Sequence, residues 1–574
     1  MKIRNLICCL MALPALGCLG QTPAAPELWY WHHSYLSNDD AVDSSKALIN
    51  RAAAAGYTGV VFWDSSFNFM GNPSWPLDNE DRMREVMKHA TKKHLKVMAT
   101  VAPFGWSNDV LRVNKNWAEA QRVFGTLFQV DHSGRQLKLV NSFPGLANPG
   151  FELGKSDWFD VNDPGVGINS VAHTGKSSAV IVDAPGNARL RQKITLKPWR
   201  QYHLRLFYKS SNFRGSAMLS VLDSTDLSRV RLNPTIDAAG SHDWTRVDYS
   251  FDSQDSTEAY LYIGVWGGSS GVLWLDDIQV EETALIHVAR RAGTPVTMYD
   301  PTDPAKIYRE GVDYNYISDP YMAAAETPFH LYHEPPAVTL PRGTHLSPGQ
   351  MVAIDSYSVF PISYSDEVGM CLTEPGVWEW LRANARAVKN VLPAAGAVLV
   401  GYDEMRQMNS CGSCRAKNMT AGQLLAWSAG QSIGLYRSVL PGAGLYFWSD
   451  MFDPYHNAVK NYFFVEGDLD GSWKGLSSDV TIMNWNLQRL RESLTWFSGM
   501  DSRQPVSHRQ IIAGFYDKGV GASAAREELT QAAAIPGVVG LMYTTYADNY
   551  SQLESFASGA KAAWGSYRSS LPKP

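Results

Sequence analysis

A chain of 574 residues, 45% of them hydrophobic, can bury more than one core, and its length sets an expectation of about three or four domains. Its formal charge of −5 is small for that size and no Lys/Arg block runs along it, which argues against nucleic acid as a partner. The 19 Trp and 26 Tyr favour sugar binding only modestly, because such rings fill cores as readily as they stack on sugars.

The chain opens with Met1-Lys-Ile-Arg-Asn5, an apolar run from Leu6 to Leu16 and small residues near Gly17 to Gly20, the three-part layout of a secretory signal peptide over residues 1–20. The run is too short to span a bilayer, and no later stretch is long and apolar enough to do so. Export to a periplasmic or extracellular space is therefore expected, with a lipoprotein anchored at Cys18 as the alternative; Leu16 fits that alternative poorly. Beyond the leader remain Cys371, Cys411 and Cys414. In an exported protein an odd trio suggests one disulfide and one free thiol, and the Cys411-Gly-Ser-Cys414 pair offers only half of a zinc site at ligand spacing.

In chain order, Leu28-Trp-Tyr-Trp31 reads as a strand before a helix around Asp40 to Ala55. Thr58 to Asp64 precedes a charged helix from about Asn79 to His94, and Lys96 to Ala102 follows as a third strand. This begins a parallel β/α array, assigned to residues 27–140. From about Asn148 to Glu282 the period changes to short alternating strands separated by Gly, Asn, Asp and Ser turns, so an all-β sandwich is expected at 146–283. Residues 284–365, rich in Pro and Tyr and without helical periodicity, read as an accessory β layer. The β/α rhythm resumes over 366–570, with strands at Ala397 to Glu404, Leu445 to Asp450, Val480 to Trp485, Gln510 to Tyr516 and Val538 to Thr545. Three strands before the insert and five after it predict an α/β protein, a (β/α)8 TIM barrel interrupted after its third strand by a jelly-roll sandwich and the accessory layer.

Reactive groups of such a barrel project from the C-terminal strand ends. Seven of those ends carry polar or aromatic residues: Trp31, His32 and His33; Asp64; Asp403 and Glu404; Trp448 and Asp450; Asn484 and Trp485; Tyr516 and Asp517; Tyr543, Tyr546 and Asp548. Together they predict an aromatic-walled pocket bearing acids, suited to cleaving a glycosidic bond. Asp403 and Glu404 are the catalytic candidates. Trp31, His32, Asp64, Trp448, Asp450, Trp485, Tyr516, Tyr543 and Asp548 are the substrate-binding candidates. His32 and His33 are read as hydrogen-bonding rather than metal-binding, Arg406 as a brace for the carboxylates, and Trp158, Trp266 and Trp274 as core residues.

Two resemblances refine this. Asn148-Pro-Gly-Phe-Glu152, His173-Thr-Gly-Lys-Ser-Ser178 and Val272-Leu-Trp-Leu-Asp-Asp-Ile-Gln-Val280 resemble the opening, a turn and the last strand of jelly-roll carbohydrate-binding modules of families 4, 9 and 22. That resemblance implies a structural calcium, with Glu152 and Asp277 as its oxygen donors. Cys371-Leu-Thr-Glu-Pro-Gly-Val-Trp-Glu379, a helix, and Val398-Leu-Val-Gly-Tyr-Asp-Glu404 resemble the approach to the Asp-Glu dyad of family 20 glycoside hydrolases, the β-N-acetylhexosaminidases. Trp448-Ser-Asp450 and Asn484-Trp485 resemble their fifth and sixth strands. Tyr402 stands where family 20 has Gly, and Met542-Tyr-Thr-Thr-Tyr546 departs from its eighth strand; Asp403-Glu-Met-Arg406 and Asp450-Met-Phe-Asp453-Pro-Tyr-His456 look instead like bacterial proteins allied to families 20 and 123. Both relatives imply cofactor-free, retaining hydrolysis in which the substrate's own 2-acetamido group attacks, Glu404 is the general acid/base and Asp403 orients the amide. The implied partner is an oligosaccharide, polysaccharide or glycoconjugate bearing β-linked GlcNAc or GalNAc. The alternatives are a two-carboxylate glycosidase pairing Glu404 with Asp64 or Asp450 on a sugar without the amide, and a surface glycan-binding protein without activity.

Overall fold

A computed structural model describes residues 22–71, 77–323, 328–363, 367–516 and 521–572. The expected leader, with Cys18, and Asp517 lie outside these residues.

Eight parallel strands close into a barrel: β1 (Glu27–His33), β2 (Gly59–Trp63), β3 (Lys96–Val101), β4 (Ala397–Val400), β5 (Gly444–Trp448), β6 (Thr481–Asn484), β7 (Arg509–Phe515) and β8 (Val538–Thr544). Closure runs through β1 against β8, with Tyr30 opposite Tyr543. The junction across the insert is made by β3 against β4, with Val101 opposite Val400. The expected interrupted α/β barrel is the fold of the chain.

The longer helices among the described residues are α1 (Asp39–Ala55), α2 (Leu77–Lys92), α3 (Pro375–Val391), α4 (Ala421–Val439), α5 (Leu490–Phe497), α6 (Gly521–Gln531) and α7 (Leu553–Ser570). Local signals fix their starts: Asn38 accepts the Ala41 amide at 2.9 Å before α1, and Thr420 and Gln423 form a reciprocal capping box before α4. Between β5 and β6 lie short 3₁₀ turns, at Asp450–Phe452 and Ser472–Gly475, and a two-residue strand, Phe464–Val465, in place of an α-helix.

Side-chain parity divides the barrel into two apolar layers. Trp29, Trp31, Val61, Met98, Leu399, Trp448, Met483 and Ala513 fill the interior, whereas Leu28, Tyr30, Val60, Phe62, Val398, Val400 and Ile512 pack outward under the helices. Trp29 fits the interior because its neighbour on β2 is Gly59, where a Cβ would come within 2.4 Å of the indole.

Two antiparallel sheets interrupt the barrel. One is the eight-stranded sandwich, built on two long strands, Gln201–Asp223 and Glu258–Thr283, around its own core that includes Phe151, Trp158, Leu204, Leu219, Phe251, Leu261 and Leu275. The other sheet runs in the order 303–308, 297–300, 351–358, 121–130, 136–139, 338–339. Its strands Gln121–Val130 and Gln136–Leu139 fall in the stretch assigned above to the first part of the barrel. Gln121–Val130 pairs with Met351–Ser358, far along the chain, and Gln136–Leu139 pairs with Gln121–Val130 and with Val338–Thr339; these links are visible only in three dimensions. Trp158 is a core residue of the sandwich, its indole N–H donating to the Asn148 carbonyl at 3.0 Å.

Candidate active site

The C-terminal mouth of the barrel opens into a cleft of about 640 Å³. Strand parity decides which residues reach it. On β4, Leu399 points inward and Val400 outward; Gly401 follows inward, Tyr402 outward and Asp403 inward. Tyr402 is fully buried beneath α4, where its hydroxyl lies between Ser428 Oγ at 2.7 Å and Ser432 Oγ at 2.8 Å and its ring stacks on Phe104 at 4.4 Å. The Tyr that departs from the family 20 pattern thus anchors the strand end to a helix and leaves the cleft to its neighbours.

Glu404 would face outward in a regular strand. It instead adopts φ +47°, and this left-handed kink turns it back so that both members of the dyad line the cleft. Asp450 holds the kink: its Oδ2 accepts the Glu404 amide at 2.8 Å and Asn457 Nδ2 at 2.9 Å, and its Oδ1 accepts the Trp485 indole N–H at 3.1 Å. The loop after β3 presses on the same backbone. Gly105 lies so close that a Cβ there would come within 2.0 Å of the Asp403 carbonyl oxygen.

Electrostatics keep the dyad protonated to unusually high pH. Burial, then the charge of Asp450 and finally that of Glu404, push Asp403 up to about 8, with its own backbone hydrogen bond opposing. Its carboxyl sits deep in the fold, open on one side to the cleft. Burial, then Asp450, push Glu404 up to about 7, while a hydrogen bond with Trp106 opposes. Arg406 forms an ion pair with Glu404, its Nη2 2.6 Å from Glu404 Oε1. Its other arm is held by the fully buried Glu367, so one guanidinium is shared between two carboxylates and only part of its charge serves Glu404. Arg406 is thus the expected brace.

Of the predicted binding residues, Trp31, Trp448 and Trp485 line the cleft beside the dyad. Asp548 sits exposed at the rim, 3.7 Å from His33 Nδ1, and it is His33 whose ring faces the cleft, between Tyr35 and Trp63. The others are turned away. His32 is buried on the outward face of β1 against Ser45 Oγ at 2.9 Å, where burial and His33 lower its pKa to about 4. Asp64, also on outward parity, accepts the Ser66 amide at 2.9 Å and Ser34 Oγ at 3.3 Å. Tyr516 and Tyr543 stack on each other under the helices, Tyr516 donating to Glu528 at 2.6 Å and Tyr543 to the Asn549 carbonyl at 2.6 Å. Asp450 is fully buried with both oxygens engaged, which makes it a positioning residue. For His32, Asp64, Tyr516 and Tyr543, strand alternation outweighs mere placement at a strand end.

The loop after β3, which sequence reading did not count among the strand ends, contributes Pro103, Trp106 and Asp109. Burial raises the Asp109 carboxyl, and Asn68 Nδ2 donates to it at 3.3 Å. Its signal was available: Asp109 lies eight residues past the end of an apolar strand, in a short helical turn.

The two expected calcium donors hold a turn of the sandwich. Glu152 Oε1 accepts the Lys176 and Ser177 amides at 2.8 and 3.0 Å, and Asp277 accepts His173 Nδ1 at 2.6 Å and Thr174 Oγ1 at 2.8 Å. Glu152 Oε1 and both Asp277 oxygens thereby tie down the 173–177 turn. Two other groups among the described residues bring metal-capable atoms together: Glu119, Cys371, Cys411 and Cys414, and His287, Asp319 and His333. All three cysteines are free thiols, so the disulfide expected from their odd number is not formed.

No protein-family model and no curated protein matches the chain. Among solved structures, a family 16 carbohydrate-binding module is 20% identical over 24% of this chain and 97% of its own, with a TM-score of 0.20. A family 4 module is 15% identical over 24% of this chain and 99% of its own, with a TM-score of 0.20. The CBM22-1 xylan-binding domain from Paenibacillus barcinonensis Xyn10C is 13% identical over 22% of this chain and 83% of its own, with a TM-score of 0.17. No helix among the described residues is long and apolar enough to cross a membrane.

Proposed function

We propose that the protein is an exported glycoside hydrolase that cleaves β-linked N-acetylhexosamine by retaining, substrate-assisted hydrolysis. The observation that carries this reading is the adjacent pair Asp403 and Glu404, both turned into one Trp-lined cleft and raised to about 8 and about 7. A general acid working near neutral pH needs a pKa in that range, and burial beside Asp450 supplies it. At neutral pH the pair holds at least one proton. When a bound 2-acetamido group donates its N–H to Asp403, the Asp403 anion is stabilised and the proton rests on Glu404, positioned to protonate the leaving oxygen. The amide carbonyl then attacks the anomeric carbon, and Glu404 removes a proton from water in the second step. Trp31, Trp448 and Trp485 provide apolar walls for the sugar ring. A thiazoline mimic of the cyclised intermediate is expected to compete with substrate. An active enzyme indifferent to it would require another nucleophile.

Asp109 supports a second reading. It lines the same cleft as Glu404 and could serve as the second carboxylate on a sugar without the amide, in place of Asp64 and Asp450, whose oxygens are already engaged. Under that reading Asp109→Asn removes activity by roughly 10²-fold or more while a thiazoline does nothing. Under the substrate-assisted reading the thiazoline inhibits and Asp109→Asn leaves most of the turnover.

A further inference from the structure

The geometry points to a structural zinc site formed by the Sγ atoms of Cys371, Cys411 and Cys414 with Oε2 of Glu119, clamping the loop that carries the dyad. All four residues are buried and their candidate ligand atoms lie within 4.8 Å of one another. Cys371 Sγ is 3.6 Å from Cys411 Sγ and 3.5 Å from Cys414 Sγ, and Cys414 Sγ is 3.4 Å from Glu119 Oε2. Tetrahedral zinc with Zn–S near 2.3 Å and Zn–O near 2.0 Å separates its ligand atoms by roughly 3.5–3.8 Å, so the four need move only slightly to enclose the ion.

The surroundings are built for ligation. Glu119 Oε1 is fixed by the Ser410 amide at 2.8 Å, Ser410 Oγ at 2.9 Å and the Cys411 amide at 2.8 Å, which leaves Oε2 directed at the thiols. Hydroxyls stand beside the sulfurs, Thr373 Oγ1 at 3.3 Å from Cys414 and Ser413 Oγ at 3.3 Å from Cys411. Three thiolates and a carboxylate are too much negative charge for one buried place without a cation. A divalent ion neutralises half of it, and Arg291, with Nη1 3.7 Å from Cys411 Sγ, faces the rest. The donor set favours zinc over the hard cations, which prefer all-oxygen sites. Binding displaces the thiol protons to solvent and oxidises nothing.

Along the chain only Cys411 and Cys414 stand at ligand spacing, and the fourth ligand, Glu119, is remote from all three cysteines. Cys371 stands just before α3, and Glu119 lies between the barrel and the accessory sheet. The ion would join three separate segments a few residues beyond Glu404.

The test is metal and thiol stoichiometry on the exported chain, without the leader that holds Cys8, Cys9 and Cys18, purified from an oxidising compartment without reductant. The expected result is about one zinc per chain, released on denaturation in chelator together with three titratable thiols. X-ray absorption at the zinc edge should show three sulfurs and one light atom. Chain isolated without metal should take up one equivalent of added Zn²⁺ with a rise in Tm, and Cys414→Ser should weaken uptake at least tenfold. A disulfide between two of the cysteines with one remaining thiol, or reduced chain that takes up no Zn²⁺, overturns the site. Because each readout is independent of hydrolysis, failure here leaves the proposed activity standing, and an inactive enzyme that binds zinc leaves the site standing.

Discussion

Asp403 and Glu404 follow β4 on opposite parities and share one cleft only because Glu404 takes a left-handed backbone held by Asp450. Burial raises both carboxyls most and the charge of the same Asp450 adds to it, so the residue that holds the geometry also contributes to the proton affinity. Since the acid must be protonated, kcat/KM is predicted to fall as pH rises through about 7, which a pH–rate profile reads directly. Stability follows the same sign. A carboxyl raised in the folded state keeps a proton that the unfolded chain loses at about 3.8, so the fold loses stability as pH rises from there through about 8. Asp403→Asn removes that loss. Its Tm relative to wild type is predicted to improve by roughly 1–3 °C between acid and mildly alkaline pH, and a constant difference in thermal melts would contradict the assignment.

At the scale of elements, the strands and nearly every helix can be read from periodicity and caps, because amphipathic spacing and motifs such as Thr420 with Gln423 are local. Parity is equally local. It separates Trp31, Trp448 and Trp485, which reach the cleft, from His32, Asp64, Tyr516 and Tyr543, which do not; counting alternation back from the strand interior distinguishes them. The contributions of the β3 loop and of Asp450 were harder to see, since one depends on a loop folding over a neighbouring strand and the other on a buried side chain crossing between strand ends. Gly105 makes the loop contact testable. A methyl group there meets the Asp403 carbonyl, which is backbone and cannot swing aside, so Gly105→Ala is predicted to cost on the order of 2 kcal/mol or more in chemical denaturation and to lower kcat through displacement of the dyad.

The whole molecule consists of a barrel, a sandwich and an accessory sheet with distinct cores. The sandwich was legible as a change of period, whereas the accessory sheet, which recruits strands from both sides of the sandwich, was legible only in part. The ends of the sandwich lie together: Asn141 Oδ1 accepts the Glu282 amide at 3.1 Å. With its own core and adjoining ends, the segment 141–283 is predicted to fold alone and melt cooperatively by calorimetry; a broad, non-cooperative melt would show that it needs the accessory sheet. The central claim concerns the barrel mouth, and the most direct measurement is turnover of paired aryl β-glycosides, with and without the 2-acetamido group, by wild type and Glu404→Gln. The account predicts hydrolysis of the acetamido substrate only, reduced by roughly 10²–10⁴-fold in the folded variant. Equal turnover of both sugars, or an unimpaired Glu404→Gln, would contradict it.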